Sequence, residues 1–416
     1  MGDRIAAFCA AIGHATRAVA LVGALASSFP HLAVVARATR YCVVVTQPEV
    51  RNAELYTVSC DEVVVTFSTD PGVAVECCVG DITVTSVGQY HHVTFRGLNP
   101  ETEYSFRVDG VVADSHCPSK LTTLARPSGA RLARFATVND VHFGERIAGL
   151  IGSHAEVGPV FTRPSNVVAY PNLMNAAAID EIKAGDFDAV VVKGDLTSRG
   201  TRDEYDEFLN AYGVFGESLH HVRGNHDTDR TMNIGDTAPF SVLLDGAVLA
   251  VLDTSQFHRP NGVLDVEQLA WLDALAASAT DPVLVFGHHP LWDSAKDPRS
   301  DGFFGLVPDS TDALCAVFAR REMIAGYFAG HTHRNRVLHF PHARNIPIVE
   351  VASVKEYPGA WAEYHVYEGG YVQIGRRISA PDAMQWSEAT RGLYANLYHD
   401  YALGRLSDRS FTWTSA

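Results

Sequence analysis

Hydrophobic and polar positions divide the chain into two textures. From residue 32 to residue 124, short runs rich in β-branched residues are separated by turn formers. The runs at 43–45, 62–67, 73–75, 82–85 and 92–95 each have the length and composition of a strand. Residues 122–131, with Pro127, Ser128 and Gly129, lack periodicity and mark a linker. Beyond it, buried-strand runs at 135–138, 189–192, 220–222, 248–252, 283–286 and 325–329 alternate with helical patterns. Thr201 with Glu204 is a capping box that opens one helix. Asp265 with Gln268 opens another, which carries Leu269, Leu272 and Leu275 on one face. Runs at 348–351, 364–367 and 371–374 predict a β-rich end to this region. Trp386, Leu393, Leu397 and Tyr401 share a helical face, so the tail is expected to close on a packed helix that ends at Gly404.

The stretch Leu98-Asn99-Pro100-Glu101-Thr102-Glu103-Tyr104-Ser105-Phe106-Arg107-Val108 resembles the late-strand signature of fibronectin type III-like sandwiches. A Leu and a Tyr flank a tight turn there, and alternation from Tyr104 through Phe106 to Val108 points one face inward. Seven or so strands in this region fit a small β-sandwich. The expected organisation is a leader or helix over 1–31, a sandwich over 32–124, a linker over 125–131, an α/β domain over 132–378 and a helical extension over 379–416.

A chain of 416 residues is too long for one ordinary domain and suggests two or three. Its net charge of −15 argues against nucleic acid as the main partner, because no basic stripe is present to track phosphates. The seven cysteines follow no framework spacing. Adjacent Cys77 and Cys78 would point to opposite faces of a strand, so mostly reduced thiols in a cytoplasmic protein are expected. No stretch of about 18 uncharged apolar residues predicts a membrane span. A short apolar run around residues 17–26 looks like a signal segment and leaves export open.

The chemistry lies in five short motifs, each following a strand-like run: Asp140-Val141-His142, Gly194-Asp195, Gly224-Asn225-His226-Asp227, Gly287-His288-His289-Pro290 and Gly330-His331-Thr332-His333. Strand C-termini are where open α/β sheets form their ligand crevice. Imidazoles, carboxylates and an amide oxygen make a mixed nitrogen and oxygen donor set suited to Zn, Mn, Fe or Co. Any one motif could be a turn or a cap; five in order point to a two-metal hydrolytic site.

The five motifs in this order resemble the calcineurin-like metallophosphoesterase superfamily, over residues 134–378. The resemblance implies a four-layer α/β/β/α core behind the small all-β sandwich, and two divalent metal ions. It assigns Asp140, His142 and His333 to one ion, Asp195 as the bridge, and Asn225, His288 and His331 to the other. It favours His288 over His289 as the ligand, leaving His289 as support or core. His226, next to Asn225 and outside the ligand pattern, is the expected catalytic residue: it would stabilise the phosphate or protonate the leaving oxygen. Asp227 is expected either to orient that ring or to cap the loop.

Two departures narrow the branch. Purple acid phosphatases place a Tyr ligand where this chain has Ser198. Calcineurin-type protein phosphatases carry a different middle to the second motif, where this chain has Thr197 and Ser198. Those two residues look closer to class III cyclic nucleotide phosphodiesterases. So does Leu252-Asp253-Thr254 with Gly262, Leu264, Gln268, Leu269, Trp271 and Leu272 after it. Residues 143–175 read as an insertion that roofs the pocket, with Glu145, His154 and Tyr170 as candidate substrate contacts. The reading is a phosphodiesterase that attacks a small phosphoester with a metal-activated hydroxide. The alternatives are a phosphomonoesterase or a non-catalytic recognition protein. No candidate ligand precedes Asp140, so the sandwich is expected to be dispensable for chemistry. Oligomeric state is not legible.

Overall fold

A computed structural model describes residues 48–150, 158–231, 233–235 and 237–415. It begins with an antiparallel sheet of five strands: β1 (Arg51–Val58), β2 (Glu62–Val79), β3 (Ile82–Arg96), β4 (Glu103–Val108) and β5 (Lys120–Thr122). β2 pairs with β3 along most of its length, with β1 over its first half and with β4 at Cys77–Val79. Alternate residues Val63, Val65, Phe67, Val75, Cys77 and Val79 of β2 are buried with Val93, Phe95 and Phe106. Asn99 N–H donates to the Tyr104 hydroxyl at 2.9 Å, which holds the turn that the sequence signature marked.

The strand count differs from the expected seven. Runs 62–67 and 73–75 are one strand, as are 82–85 and 92–95, and run 43–45 lies outside the described residues. Asp70-Pro71-Gly72 reads as a turn. Here it produces a register shift between Ser68 and Val73, after which pairing with β3 resumes. Pro71 has no N–H to give the ladder, which a bulge accommodates as well as a turn does.

The rest of the chain builds two six-stranded sheets. One runs in the order β17 (Phe411–Thr414), β16 (Gly370–Arg377), β15 (Ala360–Tyr367), β6 (Arg131–Val138), β7 (Ala189–Lys193), β8 (Leu219–Val222). The other runs β13 (Arg336–His339), β14 (Pro347–Glu350), β12 (Ile324–Ala329), β11 (Val283–Phe286), β10 (Ala247–Val251), β9 (Phe240–Leu244). β6, β7 and β8 are mutually parallel, as are β10, β11, β12 and β14. Their C-terminal ends therefore gather the loops that carry the five motifs.

Aromatic side chains fill the space between the sheets. Phe135 stacks on Tyr364 at 4.4 Å and meets Phe286 edge-on at 6.0 Å, and Phe286 stacks on Phe328 at 5.1 Å. Each such side chain, fully buried, contributes about 1.5–3 kcal/mol. Helices α1 (Tyr170–Gly185), α2 (Arg202–Tyr212) and α5 (Pro381–Thr390) bury Met174, Ile182, Phe208 and Trp386 against Val190 and Val192 of the first sheet. Helices α3 (Val266–Ser278) and α4 (Pro308–Arg320) bury Leu272, Leu314 and Phe318 against Val285 and Ile324 of the second. The layers are α/β/β/α, as expected. Both caps form: Thr201 and Glu204 make the reciprocal box, and Asp265 accepts from Gln268 N–H.

Two expectations need correction. Residues 143–175, read as an insertion over the pocket, end in a core helix, because α1 starts at Tyr170 with Pro171 in its first turn. Its buried positions Met174, Ala178 and Ile182 are spaced for a helix, but Gly, Pro and Asn upstream mask the onset. The tail is not one helix. α5 ends at Thr390, and α6 (Leu393–Asn396), α7 (Tyr398–Leu403) and α8 (Leu406–Arg409) follow before β17 joins the first sheet. Tyr394, Ala395 and Asn396 all have positive φ (50°, 57°, 64°), which no continuous right-handed helix allows.

The N-terminal sheet is fastened to the core by buried polar groups. Tyr357 donates its hydroxyl to Glu54 at 2.6 Å. Arg409 donates to the carbonyls of Tyr56 and Leu55, and Thr57 donates to the carbonyl of Gly375.

Candidate metal centre

Five of the seven expected ligands follow directly from strand ends and sit in unusual backbone. Asp140, His142, Asp195, His331 and His333 all have φ between 48° and 68°, the left-handed region that non-glycine residues rarely adopt. Such conformations cost free energy and cluster at functional sites. Gly194 and Gly224 permit the close approach. A Cβ on Gly194 would lie 2.4 Å from His288 Nδ1, and one on Gly224 would lie 2.3 Å from Asp195 Oδ1.

The seven side chains converge in two lobes around Asp195. In the first lobe, His142 Nε2 is 3.4 Å from Asp195 Oδ2, and His333 Nε2 is 3.5 Å from Asp140 Oδ1. In the second lobe, His288 Nε2 is 3.3 Å from Asp195 Oδ1 and 3.3 Å from Asn225 Oδ1. The His288 and His331 rings lie 5.1 Å apart, edge to face. Asp140, His142 and His333 bring one donor atom each within 4.8 Å of one another, as do Asp140, Asp195 and His288.

Neighbouring groups fix the imidazoles. His288 Nδ1 bonds the Lys193 carbonyl at 2.8 Å, His333 Nδ1 bonds Glu356 Oε1 at 2.8 Å, and His331 Nε2 bonds the Phe304 carbonyl at 2.9 Å. A ring nitrogen engaged in this way turns the other nitrogen's lone pair toward the cluster. Phe304 also stacks on His331 at 4.1 Å. Asn139 donates its amide to the Asp140 carboxylate and to Val351 O, and Asp140 also accepts from His331 N–H.

The electrostatics follow from burying opposite charges together. Burial acts to raise the Asp195 carboxyl, but His288, His226 and His142 hold it well below the usual carboxylate range. Burial acts to lower His288 and His333, yet Asp195 lifts the first to about 9 and Asp140 with Glu356 lifts the second to about 10. His142 and His331 have less compensation, and burial drops them to about 4 and about 3. Below the rim, Lys193 is wholly buried and donates from Nζ to Ala329 O at 2.8 Å, which joins the first sheet to the second; burial lowers it to about 7.

The donor set suits divalent metal ions. Both ring nitrogens of His142 are buried without a hydrogen-bond partner, and two buried carboxylates face imidazoles and an amide. Lone pairs left uncommitted in a buried site are what a metal ion satisfies.

Further contacts surround the residues that the sequence left open. His289 is held by Thr254 through Nδ1 at 2.8 Å, and its Nε2 is buried without a hydrogen bond. Its donor atom falls within 4.8 Å of those of His288 and His331. The His226 ring packs edge-on to His142 at 4.7 Å, so it leans toward the first lobe although it follows Asn225 in sequence. Its Nδ1 bonds the Ser198 carbonyl at 2.8 Å.

Asp227 does not orient His226; it accepts from Leu196 N–H, Thr197 N–H, the Thr197 hydroxyl and Gly224 N–H, and so caps two motif loops at once. Of the three candidate substrate contacts, Glu145 pairs with Lys355 beside His142. Tyr170 is buried and stacked on Trp386 at 4.5 Å, and His154 lies outside the described residues. Sequence reasoning missed Asn139, Glu356 and Tyr398, which carry no motif of their own, and it read Thr254 only as part of a branch signature, without its contact to His289.

Residues 133–335 match the family model described as calcineurin-like phosphoesterase. The glycerophosphodiester phosphodiesterase GpdQ of Enterobacter lignolyticus is 29% identical over 163 residues, 35% of this chain and 56% of the relative. A cAMP/cGMP dual specificity phosphodiesterase of Mycobacterium tuberculosis is 30% identical over 165 residues, 35% of this chain and 48% of the relative. The 3',5'-cyclic adenosine monophosphate phosphodiesterase CpdA of Escherichia coli is 28% identical over 169 residues, 36% of this chain and 55% of the relative. The chain thus spans about half the length of these relatives. Among solved structures, a dimetal phosphatase from Danio rerio aligns with 60% of this chain and 98% of its own, at 18% identity and a TM-score of 0.44. Among the described residues, no helix is long and apolar enough to cross a membrane.

Proposed function

Residues 133–335 give this chain a calcineurin-like phosphoesterase domain, and on that footing we propose that it is a binuclear metal-dependent phosphodiesterase. The observation that carries the reading is the arrangement around Asp195. Its Oδ2 faces His142 at 3.4 Å and its Oδ1 faces His288 at 3.3 Å, so one buried carboxylate addresses both lobes. Asp140, His142 and His333 would hold one ion, Asn225, His288 and His331 the other, and Asp195 would bridge them. Bound ions, drawn from Mn, Fe, Zn or Co, would supply Lewis acidity and lower the pKa of a water.

The chain's own residues do the rest. Asp227 locks the Leu196–Thr197 and Gly224 loops, keeping Asp195 and Asn225 in register. Ser198 fixes His226 by accepting from Nδ1–H, which leaves Nε2 free; as the imidazolium, the ring would give its Nε2 proton to the leaving oxygen and return to the neutral form. The relatives named above carry glycerophosphodiesterase and cyclic nucleotide phosphodiesterase names, and these support a small diester over a monoester. Among the described residues, Cys60, Cys77, Cys78, Cys117 and Cys315 are free thiols, in keeping with the cytoplasm as its compartment.

A metal-reconstituted screen tests the reading: the protein is loaded in turn with Mn, Zn, Co and Fe, then offered cyclic AMP, glycerophosphodiesters and phosphomonoesters. Diester turnover exceeding monoester turnover is expected. Faster monoester cleavage would move the protein to the alternative chemistry, and absence of both bound metal and turnover would overturn the reading.

A further inference from the structure

Tyr398 lies in α7, in the tail beyond the segment that matches the phosphoesterase family. Its hydroxyl donates to Glu356 Oε1 at 2.6 Å, and the same oxygen accepts from His333 Nδ1 at 2.8 Å. Glu356 is 1% exposed and Tyr398 2% exposed, so water does not compete for the contact between them. The other Glu356 oxygen lies 3.9 Å from Lys355 Nζ, which keeps the carboxylate balanced in its buried place. The adjoining Tyr357 is clamped by Glu54 of β1, so the loop bearing Glu356 is held from the N-terminal sheet as well.

We infer that Glu356 and Tyr398 are positioning residues for His333, setting how tightly the ion shared with Asp140 is held. The inference rests on the proposed two-metal site. A carboxylate on Nδ1–H fixes the tautomer that leaves Nε2 free toward Asp140, and it makes the imidazole a stronger donor. Tyr398 occupies a lone pair of that carboxylate and so holds its oxygen in line with the ring. The tail thereby reaches a proposed metal ligand through two hydrogen bonds.

Titration of the full chain with Zn²⁺ against a competing chelator, with bound metal counted, tests this. In Glu356→Gln, one of the two ions should bind about 10–100-fold more weakly, the effect typical of lost outer contacts to a ligand, while the other keeps its affinity. Tyr398→Phe should weaken the same ion about fivefold, as expected for one hydrogen bond. Circular dichroism checks that each variant is folded. Unchanged affinities, or equal losses at both sites, in a folded variant would overturn the inference by leaving only a general structural role. If Glu356→Gln does not fold, Tyr398→Phe alone decides between these outcomes. A wild-type protein that binds fewer than two ions, or a His333→Ala that retains both at full affinity, would instead overturn the underlying two-metal reading.

Discussion

Arg377 and Glu54 meet at 3.1 Å across the seam between the N-terminal sheet and the core, with side chains 0% and 2% exposed. Burial acts to raise the Glu54 carboxyl, but Arg391 and Arg377 hold it below its ordinary value. Glu54→Ala leaves two arginines facing a buried gap, and breaking such a pair costs about 3–5 kcal/mol. Urea unfolding should show that loss as a lower midpoint. A chain that begins near Ser128 loses the same partner, so removal of the sheet should destabilise the core even though no proposed ligand precedes Asp140.

Glu350 gives the clearest pH dependence. Burial acts to raise it, yet Arg334 and Arg336 bring it down to about 2. A depressed carboxylate contributes stability that is fully present above its unfolded value of 4.5 and is lost as pH falls toward about 2. The difference corresponds to on the order of 3 kcal/mol. Plots of unfolding free energy against pH should be less steep over that window for Glu350→Gln than for the wild type. Equal slopes would show that Glu350 does not titrate there.

Asp195→Asn keeps shape while removing the charge that faces both lobes. On the proposed reading it should lose most of one ion and at least about 100-fold of turnover, the upper end of what even indirect metal contacts cost. Asp195→Ala should be worse. Near-normal metal content and turnover in Asp195→Ala would remove the bridge from the scheme.

His226→Ala separates acid catalysis from binding. An alkoxide leaves poorly without a proton, so hydrolysis of alkyl diesters should fall by about 10²–10⁴-fold. Bis(p-nitrophenyl) phosphate, whose leaving group departs readily, should suffer much less, with metal content unchanged. An equal fall on both substrates would take the acid role from His226.

The strands that bear the site were legible because parallel strands buried on both faces are continuous apolar runs, and each ended in a motif. The run at 283–286 coincides with β11. β9 and β13 left no clear signal because they lie at sheet edges with half-exposed, mixed residues. β2 reads as two shorter runs because Pro71-Gly72 carries a turn's composition whether the chain turns or bulges. The supporting shell was the least legible part. Glu356, Tyr398 and Asn139 act through contacts made only when distant segments pack, and no local pattern records a partner 42 or 212 residues away.

Asp140, Asp195 and Asn225 leave strands of one sheet, while His288 and His331 leave strands of the other. The site is therefore a joint, and the Lys193–Ala329 bond is its only described side-chain rivet from β7 to β12. Ions seated there would clamp one sheet to the other, and anything that binds only the folded state raises its stability. Stripping the metal should thus speed amide hydrogen exchange in β7 and β12 together, strands that are not neighbours in any sheet, while β2 and β3 exchange as before.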